Sequence, residues 1–255
     1  MKKSKDFSFI IIPIGFVSIL AFSALYIVYL GSDFRFGQNV SNNVITKIQP
    51  RSPVAANPTT GQQNIAPAPA EVNLPVPFTS QAPGGDWSGP FEHTCEEASV
   101  LMVQHYLAGE QFTSVDETKS ELLGIVNFEN QKYGFSDDTN TDQTARFARD
   151  YYSYDVNVVY DITLDDIKNE LDKGNPVIVP TAGRLLGNPN YTGLGPLYHM
   201  LVIKGYTATQ FITNDAGTRN GADYRYTYSV LQNAIHDWST GDVYTGRTAM
   251  IVITR

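Results

Sequence analysis

Glu92-His-Thr-Cys-Glu-Glu-Ala-Ser99 stands ahead of an apolar run and carries the chain's one cysteine, Cys95. Thr94 and Glu97 have the spacing of a capping box, in which Thr94 caps a helix and Glu97 reaches back to its backbone N–H. That spacing predicts Cys95 at the first helical position, where unpaired N–H groups and the positive end of the helix dipole favour a thiolate. Ala98, Leu101, Met102 and Leu107 follow at helical spacing, and the helix is expected to stop near Gly109. A free cysteine is often inert packing. A capped helix start after a loop holding Gln81, Gly84, Gly85, Trp87, Gly89 and Pro90 favours use instead. Glu96 and Glu97 oppose ionisation of the thiol, so a reactive Cys95 needs an ion pair with a histidine.

His199 is the candidate partner. It lies in Tyr198-His-Met-Leu-Val-Ile203, an alternating strand in which it shares a face with Leu201 and Ile203. His93 is two residues before Cys95 and outside the helix. His105 is nearly three turns along it, about 15 Å away. His236, near Trp238 on a late helix, reads as a surface or packing residue. Downstream, Asn214-Asp-Ala-Gly217 forms a turn after a strand. Asp215 there is either an ordinary turn aspartate or the group that orients the imidazole, a task Asn214 could also take. Gln81 is a candidate oxyanion donor, acting with the Cys95 backbone N–H on a developing negative oxygen.

Outward from these residues, periodicity and caps predict helices from Thr113–Glu117 to about Phe128, from Asp142 to Tyr152, from Thr163 to Lys173–Gly174, and from Ser229 to Trp238. Strands are predicted at Val156–Tyr160, Pro176–Pro180, Tyr198–Tyr206, Gln210–Thr213, Tyr224–Tyr228 and Ala249–Ile253. Helices come first and strands cluster late. The expected class is therefore α+β, with a mostly antiparallel sheet packed on the Cys95 helix. The folded domain is expected to span 73–255, opening on Leu74-Pro-Val-Pro-Phe78 and large enough to build a core without disulfides.

Ahead of it, Lys2, Lys3 and Lys5 in residues 1–6 precede an uncharged segment, 7–30. As a helix it would rise about 36 Å, enough to cross a hydrocarbon core of roughly 30 Å. Ala21-Phe-Ser23 fits a signal cleavage site weakly, and Leu25-Tyr-Ile-Val-Tyr-Leu30 continues the apolar run beyond it. We therefore expect an uncleaved anchor in the cell membrane, with a cytoplasmic N-terminus and an extracytoplasmic C-terminal bulk. Residues 31–72, rich in Pro, Asn, Gln and Ser, are expected to form a disordered linker. The net charge of −8 and the lack of a basic stripe argue against nucleic acid as a partner. Four scattered histidines and one cysteine offer no zinc-like spacing, so neither metal nor cofactor is expected.

Cysteine on a helix, then histidine, then an acid or amide on strands is the chain order of papain-like cysteine peptidases. Val76-Pro-Phe-Thr-Ser-Gln81, the Cys95 helix with Ala98-Ser99, Tyr198-His-Met-Leu-Val-Ile-Lys-Gly-Tyr206 and Asn214-Asp-Ala-Gly217 together resemble the bacteriocin-processing peptidases, and more narrowly their peptidase C39-like relatives in bacteria. The resemblance runs from about Leu74 to the C-terminus. It implies a papain-like fold, Cys95 as nucleophile, His199 as general base, Asp215 as orienting acid and Gln81 as oxyanion donor. Two departures stand out. Glu96 takes the place of the family's glycine after the cysteine, with Gln81 further upstream than is usual, and Ala216 replaces the commoner proline. Transporter-fused relatives cut leader peptides in the cytoplasm. This chain has no Gly-x-x-x-x-Gly-Lys-Ser/Thr run and an expected external domain, so that role does not carry over.

These readings converge on a membrane-anchored thiol hydrolase acting on peptide or protein amide bonds. Two alternatives stand beside it. One is a silent module binding peptide or cell wall, its groove lined by Trp87, Tyr191, Tyr224, Tyr226 and Tyr228. The other is a cell-wall stem-peptide amidase, which differs only in substrate.

Overall fold

The computed structural model describes residues 71–238 and 242–255. The expected anchor, and the linker up to residue 70, lie outside the described residues. Among the described residues, no helix is long and apolar enough to cross a membrane.

Among the described residues, seven strands form one sheet: β1 (Val72–Asn73), β2 (Asp155–Tyr160), β3 (Val177–Ala182), β4 (Tyr198–Tyr206), β5 (Gln210–Asn214), β6 (Tyr224–Thr227) and β7 (Ala249–Thr254). Their order is β2-β7-β3-β4-β5-β6, with β1 added on β4, and every pairing is antiparallel. Five α-helices accompany them among the described residues: α1 (Cys95–Ala108), α2 (Val115–Tyr133), α3 (Thr141–Tyr152), α4 (Leu164–Asp172) and α5 (Tyr228–Ala234). The α+β reading holds.

The apolar pattern of β4 explains the layering. All nine of its residues are buried, as a central strand covered on both faces requires. Its Met200 and Val202 pack with Leu101 and Met102 of α1, Leu122 of α2 and Phe147 of α3. Its alternate residues Leu201 and Ile203 pack with Ile167 and Leu171 of α4 and Leu231 of α5 on the opposite face. Burying side chains of this size contributes about 1.5–3 kcal/mol each, so both faces together hold the sheet between helices.

Helix ends follow local chemistry, with three differences from expectation. Ser114, Asn140 and Thr163 cap α2, α3 and α4, the last two as full capping boxes. Thr94 does not cap α1: its hydroxyl donates to the Gln81 and Phe91 carbonyls, and Glu97 is turned inward, buried against Glu129 of α2. The α2 helix runs on past Phe128 to Tyr133 and stops only where Gly134 supplies a left-handed residue. The α5 helix ends at Ala234 instead of Trp238, because Ile235 turns extended and bridges Thr181 while His236 N–H donates to the Pro180 carbonyl. Val72, assigned to the linker, is already paired with Tyr206 in the sheet.

Candidate active site

The start of β4 and the turn after β5 are brought together by register. Val202 pairs with Asn214 and Ile203 with Thr213. Continued one step, that register sets Asp215 opposite Leu201, on the face that His199 shares. His199 Nε2 and Asp215 Oδ1 are 2.9 Å apart, and both side chains are essentially out of solvent. Asn214, the alternative, is occupied elsewhere: its amide donates to the Val76 and Pro77 carbonyls and its oxygen accepts from Asp223 N–H.

Asp215 is held as an anion by five donors. Besides His199, Gly217 N–H donates to Oδ1, while Tyr191, Tyr226 and Asn188 donate to Oδ2 at 2.7, 2.6 and 3.0 Å. Burial alone would raise its pKa, but His199 beside it and these hydrogen bonds outweigh burial and hold it down to about 2. The Tyr191 and Tyr226 hydroxyls are shifted upward, first by burial and then by Asp215, so both remain protonated donors. Asn188, Tyr191, Tyr226 and Gly217 were not singled out for this role. Asn188 and Tyr191 lie on the loop before β4, Gly217 on the turn after β5 and Tyr226 on β6, and only the fold converges them.

Cys95 is the first residue of α1 and is buried. Its Sγ lies 3.1 Å from Glu96 Oε2, and among the described residues it has no hydrogen bond to His199. It does lie beside the Met200 backbone N–H, the amide immediately following His199, which opposes the rise in its pKa. Burial first, then Glu96, push the thiol well up. His199 Nδ1, the nitrogen not facing Asp215, has no hydrogen-bond partner among the described residues.

Gln81 sits beside this group but is bound to the main chain. Its Nε2 donates to the Phe91 and Glu92 carbonyls, its backbone N–H donates to the Ala216 carbonyl, and its own carbonyl accepts from Thr94. It lines a cleft of about 750 Å³ with Trp87, Glu92, Tyr191, Gly217 and Arg219. Gly217 forms the boundary between cleft and histidine: a Cβ there would lie 3.0 Å from His199 Cε1 and 3.0 Å from Tyr191 Cε1. Of the other aromatic groove candidates, Tyr226 is committed to Asp215, and neither Tyr224 nor Tyr228 lines the cleft. The remaining histidines stand apart, His105 on Glu121 and Phe112, His236 on the Gly246 carbonyl, and His93 near Glu92 and Asp138.

The Peptidase_C39 like family matches residues 73–242. The chain belongs to that family. A solved structure from Bacillus anthracis, described as a candidate C39-like peptidase, is similar at 16% identity with a TM-score of 0.49, covering 72% of this chain and 98% of its own. No curated protein sequence matches the chain. The α+β fold with a helix-borne cysteine is thus a C39-like peptidase fold, papain-like at the level of the family.

Proposed function

We propose that this C39-like chain is a membrane-anchored, extracytoplasmic cysteine peptidase that hydrolyses peptide amide bonds through Cys95, His199 and Asp215. The observation that carries the reading is the buried, five-donor Asp215 anion fixed on His199 Nε2, with the other ring nitrogen unpartnered and the Cys95 thiol against the adjoining strand. Asp215 fixes the tautomer with a proton on Nε2, which leaves Nδ1 as a base. In this reading Cys95 exchanges its Glu96 contact for Nδ1, and His199 takes the thiol proton as sulfur attacks the carbonyl carbon. His199⁺ then protonates the departing amine, and a water activated by the same nitrogen hydrolyses the thioester.

The Cys95 N–H, at a helix start where no intrahelical acceptor exists, is a ready oxyanion donor. Gln81 can join it only by releasing the Phe91 and Glu92 carbonyls. The cleft bounded by Trp87, Tyr191 and Arg219 would hold the substrate chain. Lys2, Lys3 and Lys5 before the apolar segment 7–30 support the anchor and its orientation.

The test is digestion of a diverse peptide mixture by the full chain, read by mass spectrometry. Cleavage that vanishes in Cys95→Ala and His199→Ala is expected; cleavage indifferent to both, or none by any protein, sinks the peptidase reading. Carbonate extraction of membranes checks the anchor, which should keep the full chain in the pellet. A second reading, a binding module with an unused thiol, is favoured by the depth of Cys95 and its bond to Glu96. Ligand retention by Cys95→Ala without any turnover by the unmodified chain would select it.

A further inference from the structure

The turn that carries Asp215 at its base carries Arg219 at its tip. Gly217 N–H donates to Asp215 Oδ1 at 3.0 Å, Asn220 N–H to the Thr218 hydroxyl at 3.2 Å, and Asp215 N–H to the Gly221 carbonyl at 2.9 Å. Glycine is required at 221, since a Cβ there would overlap the Asp215 carbonyl oxygen. Arg219 thereby stands exposed on the cleft that Gly217 separates from His199.

Two clefts meet at this residue. The first, of about 750 Å³, holds Trp87 and Tyr191; a second, of about 450 Å³, holds Phe112 and Val115; Ser80 and Arg219 line both. Charge singles Arg219 out. Among the described residues every lysine pairs with a carboxylate, as do Arg225 and Arg247. Arg146 stacks on Tyr133, and Arg149 donates to the Val156 carbonyl. Arg219 has no such partner among the described residues. Arg184 and Arg255, the others without one, line neither cleft. Glu92, the one acidic residue on these walls, has His93 Nε2 at 3.4 Å.

We propose that Arg219 determines specificity by binding a peptide carboxylate, from an Asp or Glu side chain or a free C-terminus, while a neighbouring apolar side chain fills the Phe112–Val115 cleft. The inference rests on the peptidase reading above and names its substrate class. A guanidinium presents a planar fork of N–H donors that matches a carboxylate in two parallel hydrogen bonds. At an exposed site such a pair is worth roughly fivefold in affinity, the upper end for surface ion pairs, because of that geometry. The chain as a whole points the other way. Its net charge of −8 repels acidic peptides at long range, so a preference for them has to be local. One cation on the cleft wall would supply it, which makes its removal decisive.

The experiment uses short acetylated peptides with a central Leu-Glu, Leu-Gln or Leu-Lys pair and an amidated C-terminus, plus the Leu-Gln peptide with a free C-terminal carboxylate. Binding to the full chain carrying Cys95→Ala is read by titration calorimetry at fixed salt. The Leu-Glu or the free-acid peptide should bind about fivefold more tightly than the Leu-Gln amide, and whichever does so identifies side chain or terminus as the source. Adding Arg219→Gln should erase the difference, and Arg219→Glu should turn it toward the Leu-Lys peptide. Equal affinities for acid and amide peptides, binding of none, or a preference that survives Arg219→Gln would overturn the inference. Replacing Leu by Ser in the Glu peptide should weaken binding, and an unchanged affinity removes the apolar half of the proposal. Arg219 is exposed and holds no other side chain, so both variants should keep the thermal midpoint of the parent. Digestion of the same peptides by the chain with Cys95 intact separates the two ideas. Cleavage without an acid preference removes only this inference. An acid preference lost with Arg219, but with no cleavage, removes the peptidase reading and leaves Arg219 as the anchor of a binding module.

Discussion

Asp215 Oδ1 and His199 Nε2 meet at 2.9 Å inside a shell that also ties Tyr191, Tyr226 and Asn188 to the same carboxylate. Replacing Asp215 by Asn removes the charge and frees the ring to take the wrong tautomer. Peptide turnover by Asp215→Asn should fall by on the order of a hundredfold or more, chiefly in kcat. Steady-state kinetics on any cleaved peptide would check this, and full activity would contradict the role given to Asp215.

Gly217 leaves no room for a side chain against the histidine. In Gly217→Ala the new methyl would press on His199 Cε1 and Tyr191 Cε1, each 3.0 Å away. Displacing a base by a fraction of an ångström is enough to cost about tenfold or more in rate. Turnover should drop by that order while the thermal midpoint moves little. A variant that keeps full turnover would show that the cleft wall can yield.

Acid should loosen the site before it unfolds the rest. The Asp215 pKa is depressed from 3.8 to about 2, so its contribution is complete above about pH 4 and is lost as pH falls toward 2. Nearly two units correspond to roughly 2.5 kcal/mol. Denaturant titrations from pH 5 to pH 2 should show this slope in the unmodified chain and a flatter one in Asp215→Asn.

Glu129 works in the opposite sense. Burial pushes its pKa up from 4.5 to about 8. The native state therefore holds a proton that the unfolded chain has given up, and stability declines as pH rises through that window. Glu129→Gln should flatten the decline and raise the midpoint at pH 8 by several degrees, about 2–4 °C per kcal/mol regained. Thermal melts at pH 5 and pH 8 make the comparison, and an unchanged difference between them would count against a proton held on Glu129.

Gly205 admits β1 to the sheet. A Cβ at this position would overlap the Val72 carbonyl oxygen. Gly205→Ala should release residues 71–73 from β4, seen as faster amide exchange there, at a cost of about 1–3 kcal/mol.

The elements carried by strong periodicity and caps were legible: α1 to Gly109, the Thr163 cap, and β4 with its two apolar faces. The candidate residues stood out because Cys95 is unique and because His199, on a strand where a histidine is usually core packing, is followed by an acid in the order Cys, His, Asp. What could not be read was convergence. Tyr191 and Tyr226 reach Asp215 from 24 and 11 residues away, and no local pattern encodes that. Thr94 and Glu97 misled because a capping box is a statement about spacing, whereas Gln81 and the buried carboxyl cluster compete for both side chains. The end of α5 was missed for a related reason: the sheet bridge at Thr181 overrides helical propensity.

The N-terminal lead-in of the domain is laced to the strands that carry the histidine and its acid. Val72–Asn73 pairs with β4, Asn214 grips the Val76 and Pro77 carbonyls, and Gln81 N–H and the Ser80 hydroxyl both hold the Ala216 carbonyl. A mechanical load applied at residue 71 would therefore meet these fastenings in series, the two-residue pairing first and the Ala216 anchor last. The Cys95 helix begins only after that last fastening, so the lead-in acts as a strain relief between a tugged chain and the sulfur.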